Sequence, residues 1–93
     1  MKRLWVIAYD IADDRARQRV DHHLQTWGER VQYSVFEAFL TLPEARRILA
    51  SLQPLLDPST DSLRLYPICT WCAQTHLIVG LGRRSQDPSV IVL

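Results

Sequence analysis

Ninety-three residues, 47% hydrophobic, 23% charged and summing to a net charge of +1, hold enough apolar chain for one core. That balance excludes a disordered tail and a second full domain, and it excludes a protein whose whole surface coats nucleic acid, leaving local patches open. The longest apolar run, Leu4–Tyr9, is too short to cross a bilayer and meets Asp10 with no small-residue cleavage site, so it reads as a strand and not a signal peptide.

Lys2–Tyr9 is apolar on both alternating faces, Leu4, Val6 and Ala8 on one and Trp5, Ile7 and Tyr9 on the other, as in an interior strand covered on both sides. Asp10 continues the Leu4–Val6–Ala8 phase, which places a carboxylate where a buried-facing strand leaves the sheet. Asp13 or Asp14 caps a helix that runs to about Trp27, with Ala16, Val20, Leu24 and Trp27 as its apolar stripe and Gly28 as its stop. Arg15, Arg17 and Arg19 crowd its first two turns, where cations oppose the helix dipole. Arg15 and Arg19 at i,i+4 also fit a solvated face, and Arg17 with Asp21 fits a surface ion pair.

Arg30–Leu40 is extended. Its alternation slips from Val31, Tyr33 and Val35 to Phe36, Ala38 and Leu40, which predicts a bulge or tight reversal near Tyr33–Ser34–Val35 and two short strands. Thr41-Leu-Pro-Glu44 is a capping box opening a second helix, whose stripe is Leu42, Ala45, Ile48, Leu49 and Leu52, ended by Gln53-Pro54. Pro58–Asp61 reads as a turn, Ser62–Ile68 and His76–Leu81 as strands, Arg83–Pro88 as a polar connector and Val90–Leu93 as a short terminal strand. One domain over residues 1–93 follows. The expected fold class is α+β, a ferredoxin-like βαββαβ sandwich with an additional short C-terminal strand. Two helices cover one face of such a sheet, so the surplus apolar residues predict a symmetric homodimer through the open face.

The stretch from Tyr9 to Arg19 sets aspartates at a strand end beside arginines. Phosphodiester hydrolysis needs that pairing, an oxygen-liganded divalent ion to activate water and fixed positive charge for the polyanion. One carboxylate is a poor magnesium site, whereas Asp10 from each of two chains across a two-fold axis could share one ion. Asp13 and Asp14 are explained by capping. Cys69-x-x-Cys72-x3-His76 has zinc-like spacing, but no second CxxC completes it. The pair falls between expected strands and reads as buried free thiols, a redox role being disfavoured because no helix is expected to open there. Two cysteines give no disulfide framework, and with no export signal the expected compartment is the cytoplasm. His22 and His23 are adjacent on a helix and read as structural. Trp5, Trp27, Trp71, Tyr33 and Phe36 read as core or interface residues, and no RNP1-like pattern is present.

Tyr9-Asp-Ile-Ala-Asp-Asp-Arg-Ala-Arg-Gln-Arg-Val20 followed by Gly28-Glu-Arg-Val-Gln-Tyr-Ser-Val-Phe-Glu37 resembles the small CRISPR-associated endonuclease family of the adaptation, or spacer-acquisition, stage. The likeness extends over essentially the whole chain. It implies a ferredoxin-like homodimer with Asp10 of both chains around Mg2+ or Mn2+, Asp10 being catalytic and metal-binding. Tyr9 flanks it by that resemblance, Arg17 and Arg19 are basic positions on the first helix, and Arg30 and Phe36 line the site on the extended ribbon. It also implies the CRISPR integrase as partner, duplex DNA and single-stranded RNA as nucleic-acid partners, and no membrane. Some members are nucleases and others non-catalytic scaffolds bridging integrase dimers. A toxin-type ribonuclease of the same fold is a further alternative. Arginine dominates the basic set, ten of eleven residues, and a guanidinium binds phosphate bidentately where lysine acts as a point charge.

Overall fold

The computed structural model describes residues 1–75 and 77–80. The elements run β1 (Arg3–Asp10), α1 (Asp14–Gln25), β2 (Glu29–Gln32), β3 (Val35–Leu40), α2 (Leu42–Leu52) with a 3-10 turn Gln53–Leu55, β4 (Ser62–Ile68) and α3 (Thr70–Thr75). The sheet order is β2-β3-β1-β4 and every pairing is antiparallel. This is the ferredoxin-like arrangement expected, with β1 and β3 central.

One face of the sheet carries the core. Trp5, Ile7 and Tyr9 of β1 and Phe36, Ala38 and Leu40 of β3 are buried against Val20 and Leu24 of α1 and Ala45, Ile48 and Leu52 of α2. Trp5 is held further by its indole N–H, which donates to the Leu40 carbonyl at 3.2 Å. The helices start where their caps dictate. The Asp13 carboxylate accepts from the Ala16 N–H at 2.9 Å, and Thr41 and Glu44 form the reciprocal capping box. In α2 the buried stripe is narrower than expected, since Leu42 and Leu49 are exposed.

Gly28 ends the α1 turn for a steric reason. A Cβ there would lie 2.1 Å from the Glu37 carbonyl oxygen and 2.7 Å from the Ala38 Cβ, so only glycine lets the chain pass this close to β3. Between β2 and β3 the phase slip is resolved by a reversal at Tyr33–Ser34 together with a register shift between Arg30 and Gln32. Ser34 takes φ 62°, the left-handed region that lets the strand turn at once.

The opposite face of the sheet has Val6, Ala8 and Phe39 half-buried and Asp10, Arg64 and Tyr66 exposed. Beyond β4 the structure departs from expectation. Thr70–Thr75 forms a helix, and Leu77–Gly80 carry no strand. The helix begins directly after β4, Ala73 N–H donating to the Cys69 carbonyl at 2.9 Å, and among the described residues no strand pairs with the apolar residues Leu77–Val79, so the strand expected there is not formed. His76, Leu81, the connector Arg83–Pro88 and the strand expected over Val90–Leu93 lie outside the described residues.

Candidate nucleic-acid and metal site

Strand register brings the candidate residues to one end of the sheet. Ala8 is paired with Val35, the Tyr9 N–H donates to the Ser34 carbonyl at 3.1 Å, and Asp10 lies opposite Ser62 of β4. The C-terminal end of β1, the Tyr33–Ser34 turn and the start of β4 therefore meet. Asp10 is exposed there, on the face away from the helices. Its phase is the one read from the sequence, but within one chain burial along that phase fades from Leu4, which is buried, through half-buried Val6 and Ala8 to the exposed Asp10.

The loop after Asp10 is tied down by Asp61. One carboxylate oxygen of Asp61 accepts from the Ala12 N–H at 3.0 Å and the other from the Asp57 N–H at 2.9 Å. Those two bonds hold its carboxyl below the usual carboxylate range. Ile11 anchors the same loop in the core. Asp57 is held low in turn by the Ser59 hydroxyl and N–H, at 2.7 Å and 2.9 Å.

Arg17 lies at this end of α1. Its guanidinium donates to Asp14 and to the Ile11 carbonyl at 3.4 Å, and it stands over the Tyr33 ring, 5.4 Å from the centroid. The expected partner Asp21 is not the one used. The hydrogen bond to Asp14 raises the Arg17 pKa above its already high range. Arg30 reaches the same ring from β2 at 5.5 Å. Tyr33 is 65% exposed and thus gathers two guanidinium groups that are distant in sequence. Sequence reasoning placed Tyr33 in a core or interface. Its position in a two-residue reversal, where a side chain projects from the sheet end, is the signal that could have found it.

Three expected site residues sit elsewhere. Phe36 is fully buried and Tyr9 is 5% exposed, their rings stacked with centroids 6.3 Å apart on the helix-covered face. The one-residue alternation of β1 puts Tyr9 on the face opposite Asp10, so neither ring lines a site beside that carboxylate; both belong to the core. Arg19 does not join Arg17, because two residues on a helix are separated by about 200°. It lines a shallow groove of about 430 Å³ with Arg15, Gln18, His22, His23 and Leu55.

A hard divalent ion suits the oxygen chemistry of Asp10. Among the described residues, however, no three aspartate, glutamate, histidine or cysteine side chains gather as a metal group. By itself Asp10 is an incomplete ligand set for such an ion. The cysteines also differ from expectation. Both are exposed, and they open α3 directly after β4. No helix among the described residues is long and apolar enough to cross a membrane.

The model of the family "CRISPR associated protein Cas2" matches residues 2–76. The CRISPR-associated endoribonuclease Cas2 3 of Chloroflexus aurantiacus is 43% identical over 89 residues, 96% of each chain. The CRISPR-associated endonuclease Cas2 2 of Thermus thermophilus is 43% identical over 92 residues, 99% of this chain and 98% of that one. A chain of a solved partial Cas6-RT-Cas1–Cas2 complex superposes with a TM-score of 0.75 at 27% identity, covering 100% of both chains.

Proposed function

Because the chain belongs to the CRISPR-associated Cas2 family, we propose that it is a homodimeric, Mg2+- or Mn2+-dependent endonuclease acting on RNA or DNA in CRISPR adaptation. The observation that carries this reading is the strand register that brings the exposed Asp10 and the Tyr33–Ser34 turn, with Arg17 and Arg30 on the Tyr33 ring, to the same end of the sheet. Asp10 from both copies would hold the ion, which when bound supplies an activated water and neutralises charge on the phosphate. Arg17 and Arg30 grip the non-bridging phosphate oxygens, orienting the phosphorus for in-line attack and stabilising the charge that builds as the P–O bond breaks. Tyr33 contacts both guanidinium groups, and Asp61 fixes the loop that carries Asp10 into α1.

The half-covered sheet face bearing Val6, Ala8 and Phe39, next to Asp10, supports the dimer. The integrase as a partner is supported by the related chain found in a Cas1–Cas2 complex. A second reading has its own observation. The Arg15–Arg19–His22–His23 groove is on a different side of α1 from Arg17 and could hold duplex DNA without cutting it, as a scaffold between integrase dimers would. Asp10→Asn separates the two: the nuclease reading requires cleavage to vanish while nucleic-acid binding persists.

A further inference from the structure

Cys69 and Cys72 stand at the other end of β4 from this site. The strand begins with Ser62 opposite Asp10 and ends with Ile68 opposite Leu4, after which Cys69 turns the chain into α3. Both thiols are exposed. The Cys72 N–H donates to the Cys69 sulfur at 3.3 Å. Residues three apart on one helical turn have Cα atoms about 5 Å apart, inside the range a disulfide spans. Neither sulfur is engaged in the core or in the site proposed above.

We propose that Cys69 and Cys72 form a redox-active dithiol whose reaction partner is a low-molecular-weight disulfide such as oxidised glutathione, with Cys69 the attacking sulfur. The Cys69 thiolate attacks one sulfur of the small disulfide; its S–S bond breaks, and the other half leaves as a thiolate that takes up the proton Cys69 has lost. Cys72 then gives its proton to solvent and attacks the Cys69 sulfur of the mixed disulfide. The Cys69–Cys72 bond forms and the second half leaves as a thiol after protonation. Two protein thiols lose two electrons and two protons, and one disulfide becomes two thiols.

The asymmetry follows from their contact. The thiol and the N–H of Cys72 favour the Cys69 thiolate and hold it below the ordinary thiol range. Giving up the Cys72 proton is correspondingly harder. Solvent exposure gives the small disulfide access, and the second sulfur is already in reach to resolve the intermediate. Oxidation closes a ring across the turn by which the chain leaves β4, far from Asp10, so it fixes that turn without touching the phosphate site.

The test uses the full wild-type chain equilibrated at neutral pH in glutathione buffers from fully reduced to fully oxidised, quenched with N-ethylmaleimide and read by intact mass. The proposal expects two maleimide adducts at the reduced end. At the oxidised end it expects none, with the single-chain mass lowered by two hydrogens. Cys72→Ser should accumulate one glutathione on Cys69, and Cys69→Ser should react about tenfold more slowly. In denaturing urea the two variants should react at equal rates. Two adducts surviving at the oxidised end, a disulfide forming only between chains, or equal native rates for the two variants would each overturn it. None of these readouts depends on nucleic acid, so the nuclease reading stands or falls separately.

Discussion

The Arg17 guanidinium lies 5.4 Å from the centroid of the Tyr33 ring, and this contact joins the first helix to the tip of the β2–β3 hairpin. Arg30 meets the same ring, so one exposed aromatic contacts two cations from separate elements, Arg17 being held also by Asp14 and the Ile11 carbonyl. Removing the ring with Tyr33→Ala should weaken nucleic-acid binding about fivefold, while Tyr33→Phe, which keeps the π-face, should stay within about twofold of wild type. Fluorescence anisotropy with labelled oligonucleotides measures both. Equal losses in the two variants would mean that the hydroxyl, not the ring, matters.

Arg17 and Arg19 occupy different sides of α1, and single substitutions should reveal it. Arg17→Ala should lower both cleavage and binding, whereas Arg19→Ala should weaken duplex binding and leave the cleavage rate at saturating substrate unchanged. Each should reduce the salt slope of binding by about one. The double variant should be additive, since the two side chains share no partner. An unchanged salt slope for either removes that residue from the contact surface.

Much of this architecture is legible in the sequence. The period-2 run of β1, a capping aspartate at Asp13 or Asp14, the Thr41 capping box and the phase slip before Phe36 are local signals, and the structure resolves them as a strand, a cap at Asp13, a capping box and a turn with a register shift. The site is less legible, because alternation along a strand does not say which face stays open. Tyr9 and Asp10, neighbours in the chain, end on opposite sides of the sheet. Phe36 follows the core phase, so its burial could be read from Ala38 and Leu40, but its resemblance to a family position suggested a contact role. The reversal at Tyr33–Ser34 is legible from the phase slip, but not that the Tyr33 ring stays exposed, and the six-residue α3 is too short for periodicity to mark, so Cys69 and Cys72 read as interior residues.

Gly28 offers a test of the packing that sets the hairpin's place. Gly28→Ala puts a methyl group against the backbone of β3, where the Glu37 carbonyl cannot rotate away. The expected cost is about 3 kcal/mol or more, read from the midpoint of urea denaturation. A variant as stable as wild type would show that this approach is looser than described.

Asp61 links stability to acid. Its carboxyl is held low by the N–H groups of Ala12 and Asp57, so its folded pKa lies below the unfolded value near about 3.9. The stabilisation is therefore complete above that value and is lost as pH falls through the lower folded one. Thermal melts should show a drop in Tm below about pH 4 that is shallower in Asp61→Ala than in wild type. Identical acid limbs would mean that Asp61 does not fasten this loop.

The account depends most on Asp10. Purified wild type and Asp10→Asn, incubated with RNA and DNA in Mg2+ or Mn2+ across pH, test it most directly when binding is measured alongside. The account expects wild type to cleave at least one of these substrates and Asp10→Asn to bind it equally well while cleavage falls to background. Cleavage by Asp10→Asn at the wild-type rate, or none by wild type under any of these conditions, would contradict it.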